Sequence, residues 1–205
     1  MKRICIPLAL LLALSLALTA CSSRTSSAAP PDESASSASE PASEPASEES
    51  RPPILGSFTT SDLDGNAIDQ TVLAEHPLTM VNVWATFCGY CLKEMPDLAA
   101  LNEEYADQGF QVIGLVADVY NRDGSLSESQ LALAREAAEK TGATYLQLIP
   151  SSDLQSCLLQ QVSAYPTTLF VDKNGKQVGL AYSGAKDKAA WAKMIEELLA
   201  AEAAS

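Results

Sequence analysis

Trp84-Ala85-Thr86-Phe87-Cys88-Gly89-Tyr90-Cys91 and, in the second half of the chain, Tyr165-Pro166-Thr167-Thr168 are the stretches that decide how this sequence reads. The first is a C-x-x-C that leaves an apolar run, Thr79 to Trp84, and opens a helical pattern. The second places a proline at the entry of another apolar run. Two cysteines three apart at a helix start can close a small disulfide ring. Cys88 falls where the helix leaves backbone N–H groups unpaired, an end that favours a thiolate, and is therefore the expected nucleophile. Cys91, one turn further in, suits a resolving thiol that attacks a mixed disulfide on Cys88. Together the two stretches imply thiol-disulfide exchange.

Around this pair the chain alternates strand and helix signals. Ser57 to Ile68 carries the turn Asp64-Gly65-Asn66 and predicts a short hairpin, and Thr79 to Trp84 predicts a strand buried on both faces. Tyr90 to Gln108 reads as helix stopped by Gly109, and Phe110 to Val116 as a second buried strand. Leu126 to Thr141 is helical, with Ser127-x-x-Gln130 as a capping signature and Gly142 as a stop. Tyr145 to Ile149 is a short strand and Asp153 to Gln161 a further helix. Thr167 to Val171 and Gln177 to Tyr182 form a hairpin around Lys173-Asn174-Gly175, and Lys186 to Ala200 closes the chain as an amphipathic helix. Parallel strands joined by helices, with a terminal antiparallel hairpin, predict an α/β sandwich.

Ahead of residue 54 the composition changes twice. Residues 1–20 combine Lys2 and Arg3 with an apolar stretch and read as a signal segment. Leu18-Thr19-Ala20-Cys21 resembles a bacterial lipobox, which implies cleavage before Cys21 and attachment of a diacylglycerol to its sulfur. Residues 21–53, from Ser22 on, are almost entirely Ser, Ala, Glu and Pro, too poor in large apolar side chains to offset the entropy of ordering, and are expected to form an extended tether. Residues 54–205 suffice for one layered domain. They hold 20 Asp and Glu against 9 Lys and Arg, which argues against nucleic acid as a partner. One C-x-x-C and the single His76 cannot supply a structural zinc site, so no metal or other cofactor is expected.

Strand, C-x-x-C, proline-containing helix and Tyr-Pro-Thr strand together resemble the thioredoxin fold, over nearly all of residues 54–205. The resemblance implies a three-layer α/β/α sandwich with a mixed central sheet and an N-terminal β-hairpin. It narrows to the TlpA/ResA-like extracytoplasmic thiol-disulfide oxidoreductases. Asn82 stands where cytosolic thioredoxins carry a buried Asp. Glu94 follows Cys91 by three residues, Pro96 by five, and an additional helix lies between the second and third strands. By that resemblance Tyr165-Pro166 is expected to be cis and to face the disulfide, with Tyr90, Tyr165, Pro166 and Thr167 contacting substrate. Glu94, at helical spacing from Cys91, is the expected proton acceptor and donor, because Asn82 cannot titrate.

The resemblance further implies a monomer, lipid-anchored to the cell membrane and facing outward. It would reduce disulfides of exported proteins, such as apocytochrome c or methionine sulfoxide reductases, with electrons from a CcdA-like membrane thiol carrier. Two readings stay open beside it. The same site could serve a disulfide oxidase or isomerase: Gly89-Tyr90 departs from the proline many relatives place before the second cysteine, and C-G-Y-C also occurs in DsbC-like isomerases. Alternatively, Cys88–Cys91 could be a static disulfide in a surface binding lipoprotein. Cys157 is read as a small buried apolar residue or as a third thiol.

Overall fold

Every residue of the strand Leu78–Trp84 (β3) is buried, and the seven-stranded sheet is organised around it. The computed structural model describes residues 52–204, so the expected signal segment, Cys21 and nearly all of the tether lie outside the described residues. β1 (Thr59–Asp62) and β2 (Ala67–Asp69) form the N-terminal hairpin, and β4 (Phe110–Val116) and β5 (Leu146–Ile149) run parallel to β3. β6 (Thr167–Asp172) lies antiparallel on the other side of β3 and pairs with β7 (Gln177–Ser183). The strand order is β2-β1-β5-β4-β3-β6-β7, a mixed sheet.

Alternation along β3 sends Met80, Asn82 and Trp84 to one face and Val81 and Val83 to the other. On the first face pack α1 (Gly89–Glu104), α2 (Glu128–Thr141) and α4 (Lys188–Glu202). Cys91, Met95, Leu98 and Leu101 make the buried stripe of α1, and Trp191 and Ile195 that of α4. The second face is covered by α3 (Ser152–Cys157) and by the chain entering the domain, with Leu154 and Leu158 meeting Leu55, Phe58 and Leu73. The three-layer α/β/α sandwich is thus weighted towards the α1 face.

Most element ends follow from local chemistry. Ser127 Oγ accepts from the Gln130 amide, and Gly142 ends α2 at φ 68°, the left-handed position that glycine takes without a Cβ clash. α1 ends four residues before the expected Gln108, because Tyr105 leaves helical geometry and Ala106–Gln108 tighten into a 3-10 turn. The Tyr105 hydroxyl, donating to Glu196 at 2.8 Å, ties that end to α4. α4 starts two residues later than expected, since Asp187 is its N-cap and accepts from the Ala190 amide. The helix expected over Asp153–Gln161 is likewise split into α3 and a 3-10 turn, Leu159–Gln161. Pro96 sits inside α1, where it can donate no hydrogen bond to the preceding turn.

Two glycines are required by close approach. Gly175 turns the β6–β7 hairpin at φ 75°, and a Cβ there would lie 1.8 Å from the Leu55 carbonyl oxygen. Gly114 on β4 sits between Asn82 and Gln147 in register, and its Cβ would fall 1.9 Å from Gln147 Oε1. That oxygen accepts from Trp84 Nε1 at 2.9 Å, so the missing side chain makes room for a buried polar contact across three strands. Gly114→Ala must displace Gln147 and break this bond. It is expected to cost about 1–3 kcal/mol, read as a lower urea midpoint at unchanged slope. An unchanged midpoint would show that Gln147 can leave its place freely.

Candidate active site

The loop leaving β3 delivers Cys88 to the N-terminus of α1, where it is the N-cap residue and its Sγ accepts from the Cys91 amide at 3.2 Å. The two cysteines are joined in a disulfide, with Cα atoms 5.3 Å apart. Cys91 is fully buried, whereas Cys88 retains 8% exposure. Phe87 and Tyr90, 74% and 73% exposed, flank Cys88, so the more accessible sulfur lies between two aromatic rings that face solvent. The loop is held from below: the Thr86 amide and hydroxyl donate to Asp118 at 3.0 and 2.6 Å, and Gln130 Nε2 donates to the same carboxylate at 3.3 Å.

The Tyr165–Pro166 bond is cis. Pro166 is buried and its carbonyl accepts from the Gly184 amide at 2.8 Å, which anchors this loop to the end of β7. The Tyr165 ring meets Phe87 edge-on at 6.1 Å, bringing the two sequence stretches together. Thr167, buried, donates from its hydroxyl to the Ala164 carbonyl at 2.8 Å. Burial pushes the Tyr165 hydroxyl's pKa up, and the nearby Asp118 adds to it.

Glu94 is 2% exposed and lies beneath Cys91 on α1. Its Oε1 accepts from Asn82 Nδ2 at 2.9 Å, and its Oε2 from the Lys186 amide at 3.1 Å and Trp191 Nε1 at 3.4 Å. Burial raises its pKa above the ordinary value, opposed by these three donors, with the charge of Asp97 adding to the rise. The Lys186 ammonium lies over the Tyr182 and Trp191 rings at 5.4 and 5.7 Å.

Sequence reading singled out Cys88, Cys91, Glu94, Tyr90, Tyr165, Pro166 and Thr167, and all of these stand at one end of the β3–β6 pair. It missed Phe87, although that aromatic directly precedes the first cysteine. It also missed Trp191, Lys186, Gln147 and Asp118, which no local pattern marks. Cys157 is a free thiol at the end of α3, half-buried rather than buried, with its pKa raised by burial. His76, the single histidine, is half-buried in the turn before β3. Among the described residues, no cluster of His, Cys, Asp and Glu could hold a metal ion.

A carboxyl whose pKa is raised on folding contributes stability that is complete below its ordinary value of 4.5 and is lost as pH rises through the raised value. The parent is therefore expected to lose stability relative to Glu94→Gln as pH increases over that window, measured by urea unfolding of both oxidised proteins across a pH series. A difference that grows with pH in the parent's favour would mean that folding stabilises the carboxylate instead.

The Redoxin family profile matches residues 47–193. The thiol-disulfide oxidoreductase ResA of Halalkalibacterium halodurans is 26% identical over 148 residues, covering 70% of this chain and 72% of that protein. ResA of Geobacillus thermodenitrificans is 31% identical over 126 residues, covering 58% of this chain and 62% of that protein. Among solved structures, a thiol:disulfide interchange protein of Chlorobium tepidum superposes with a TM-score of 0.60 at 22% identity, over 73% of this chain and 97% of that one, a likeness of fold. With a thioredoxin-like sheet, a buried Cys91 behind Cys88 and a cis proline beside them, the chain belongs to the redoxin family and is a TlpA/ResA-like thiol-disulfide oxidoreductase.

Proposed function

We propose that this oxidoreductase works in the reducing direction, from a lipid tether at Cys21, on disulfides of proteins outside the cytoplasm. The observation that carries the reading is the gradient across the dithiol: Cys88 at the surface between Phe87 and Tyr90, Cys91 buried, and a buried carboxyl, Glu94, one turn below it. The Cys88 thiolate attacks a substrate disulfide, forming a mixed disulfide and releasing the first substrate thiolate. Cys91 then gives its proton to Glu94 and attacks Cys88 Sγ. The Cys88–Cys91 bond forms, the bond to substrate breaks, and the second substrate thiolate leaves, so two electrons pass to the client. Tyr90, Tyr165, Pro166 and Thr167 hold the extended client segment, with the backbone at Tyr165 pairing to it.

The tether supports the location. A lipobox-like Leu18-Thr19-Ala20-Cys21 followed by a Ser/Ala/Glu/Pro stretch gives a membrane anchor with reach. Among the described residues no helix is long and apolar enough to cross a membrane. Electrons would come from a CcdA-like membrane thiol carrier, and apocytochrome c thiols or oxidised repair enzymes are the clients that ResA-like chemistry suggests. Cys21→Ser is expected to move the protein from the membrane fraction to the soluble one; retention in the membrane would remove the lipid anchor from this reading.

The deciding measurement is the reduction potential of the Cys88/Cys91 pair in a redox-buffer series, with Cys157→Ser as control. A value near about −270 mV supports a reductase, and one near about −120 mV makes the same dithiol an oxidant. In parallel, Cys91→Ser is expected to accumulate a mixed disulfide with an oxidised peptide, visible by mass, while Cys88→Ser forms none.

A further inference from the structure

Glu94 is surrounded by donors. The Lys186 amide, the Trp191 indole N–H and the Asn82 Nδ2 each point a hydrogen at its oxygens. This suits a carboxylate. A carboxylic acid carries its own O–H and needs an acceptor in the same place, and neither a backbone N–H nor an indole N–H can accept. Asn82 alone among the three has a donor and an acceptor on one planar end, interchanged by a half-turn of the amide.

What surrounds Asn82 fits both positions. Its Nδ2 also donates to Thr168 Oγ1 at 3.0 Å, and a hydroxyl can reverse its role. Its Oδ1 is buried without a partner. With Nδ2 turned to β6 and α1, Oδ1 is directed to the β4 side, where Gly114 offers no side chain. There Gln147 Oε1 occupies the place of the missing Cβ, holding one hydrogen bond from Trp84 and a second lone pair, while Gln147 Nε2, like Asn82 Oδ1, is buried without a partner. Neighbouring strands lie about 4.8 Å apart, so an amide on β3 can reach a group lodged over β4.

We propose that Asn82 is a two-position hydrogen-bond switch: its amide turns over when Glu94 takes up a proton, and Gln147, lodged over Gly114, is the positioning residue that receives the turned amide. In the carboxylate state Nδ2 serves Glu94 and Thr168 while Oδ1 has no partner. In the acid state the Glu94 O–H and the Thr168 O–H both donate to Oδ1, and Nδ2 donates to Gln147 Oε1. The acid state therefore pairs every polar atom of Asn82, and the network holds the proton that Cys91 releases when it attacks the mixed disulfide. When the Cys88–Cys91 disulfide is reduced again and Cys91 departs as a thiolate, the proton returns to sulfur and the amide turns back. An amide at position 82 performs this switch because it has no proton of its own to lose.

The ionisable groups around Glu94 are Asp97 and, one turn back, Cys91 on α1, Tyr145 just before β5, and Lys186, whose amide donates to Glu94 while its ammonium lies over the Tyr182 and Trp191 rings. Tyr145 is held neutral: burial raises the pKa of its hydroxyl, and the charge of Glu94 adds to the rise. In the oxidised protein Cys91 does not titrate, so Glu94 can be followed alone.

The inference rests on Glu94 being the proton carrier, and the test separates the two. The oxidised full chain, labelled with 13C and 15N, is titrated by NMR while the Glu94 carboxyl carbon and the Asn82 side-chain amide are followed together. The expected result is one shared midpoint, at which the contacts of the Asn82 amide protons move from Thr168 to Gln147. In Gln147→Met the Glu94 midpoint is expected to fall by about one pH unit, the size of one lost hydrogen bond. If Glu94 titrates with a raised midpoint but the Asn82 contacts never change, the switch is wrong and the proton carrier stands. If Glu94 stays ionised throughout, both fail.

Discussion

One buried carboxyl ties the active-site end of this domain together. Glu94 projects from α1 into the apolar layer between the sheet and α1, α2 and α4, and a carboxyl in that position is tolerated only if its oxygens are hydrogen-bonded. Three separate parts of the chain supply the bonds: β3 through Asn82, the loop after β7 through the Lys186 amide, and α4 through Trp191. The register of α1 on the sheet, the entry of α4 and the course of the loop between them are thereby linked to the protonation of one side chain that lies one turn below the redox disulfide.

The two faces of the sheet answer differently to this demand. The face carrying α3 is filled by Val81, Val83, Ile113, Leu115, Leu169 and Val171, and its polar side chains stand towards the ends of the strands, where Gln111 donates to Thr79 Oγ1 and to the Val72 carbonyl. The opposite face carries a polar row across the middle of the sheet, Thr168, Asn82 and Gln147, with Gly114 as the gap through which the Gln147 side chain passes. Such a row is costly in an apolar layer unless each group finds a partner, and its placement directly under the C-x-x-C helix links core packing to the buried Glu94 carboxyl. Around it Phe170, Tyr182 and Trp191 pack edge-to-face on the α4 side.

Towards solvent the same end of the sheet turns apolar. Phe87 and Tyr90 leave their rings exposed beside Cys88, and Tyr165 packs against Phe87 rather than into the core. Cys88 is therefore reached over aromatic surface, while Cys91 and the Glu94 carboxyl are reached only through the protein. In the proposed reaction that separation would order the two exchange steps, with the accessible sulfur meeting the client and the buried one, next to Glu94, resolving the mixed disulfide.

Much of this was legible in the residues themselves. The apolar runs of β3 and β4, the Ser127 cap and Gly142 stop of α2, the hairpin around Asn174-Gly175 and the C-x-x-C at a helix start are local patterns, governed by periodicity, capping and backbone freedom within a few residues. So were Cys88, Cys91, Glu94 and Pro166 as a set, because motif and spacing carry them. At the end of α1, where expectation and structure part, a distant partner takes part: the helix stops early at Tyr105, whose hydroxyl is held by Glu196 on α4. Of the residues that complete the site, Trp191 and Lys186 lie 97 and 92 positions from Glu94, Gln147 lies 63 from Trp84 and Asp118 lies 32 from Thr86. Local sequence determined the elements and the Cys88-x-x-Cys91 pair; the tertiary structure alone decided which donors meet at Glu94, because that depends on how strands register across a sheet, and register is a property of no single segment.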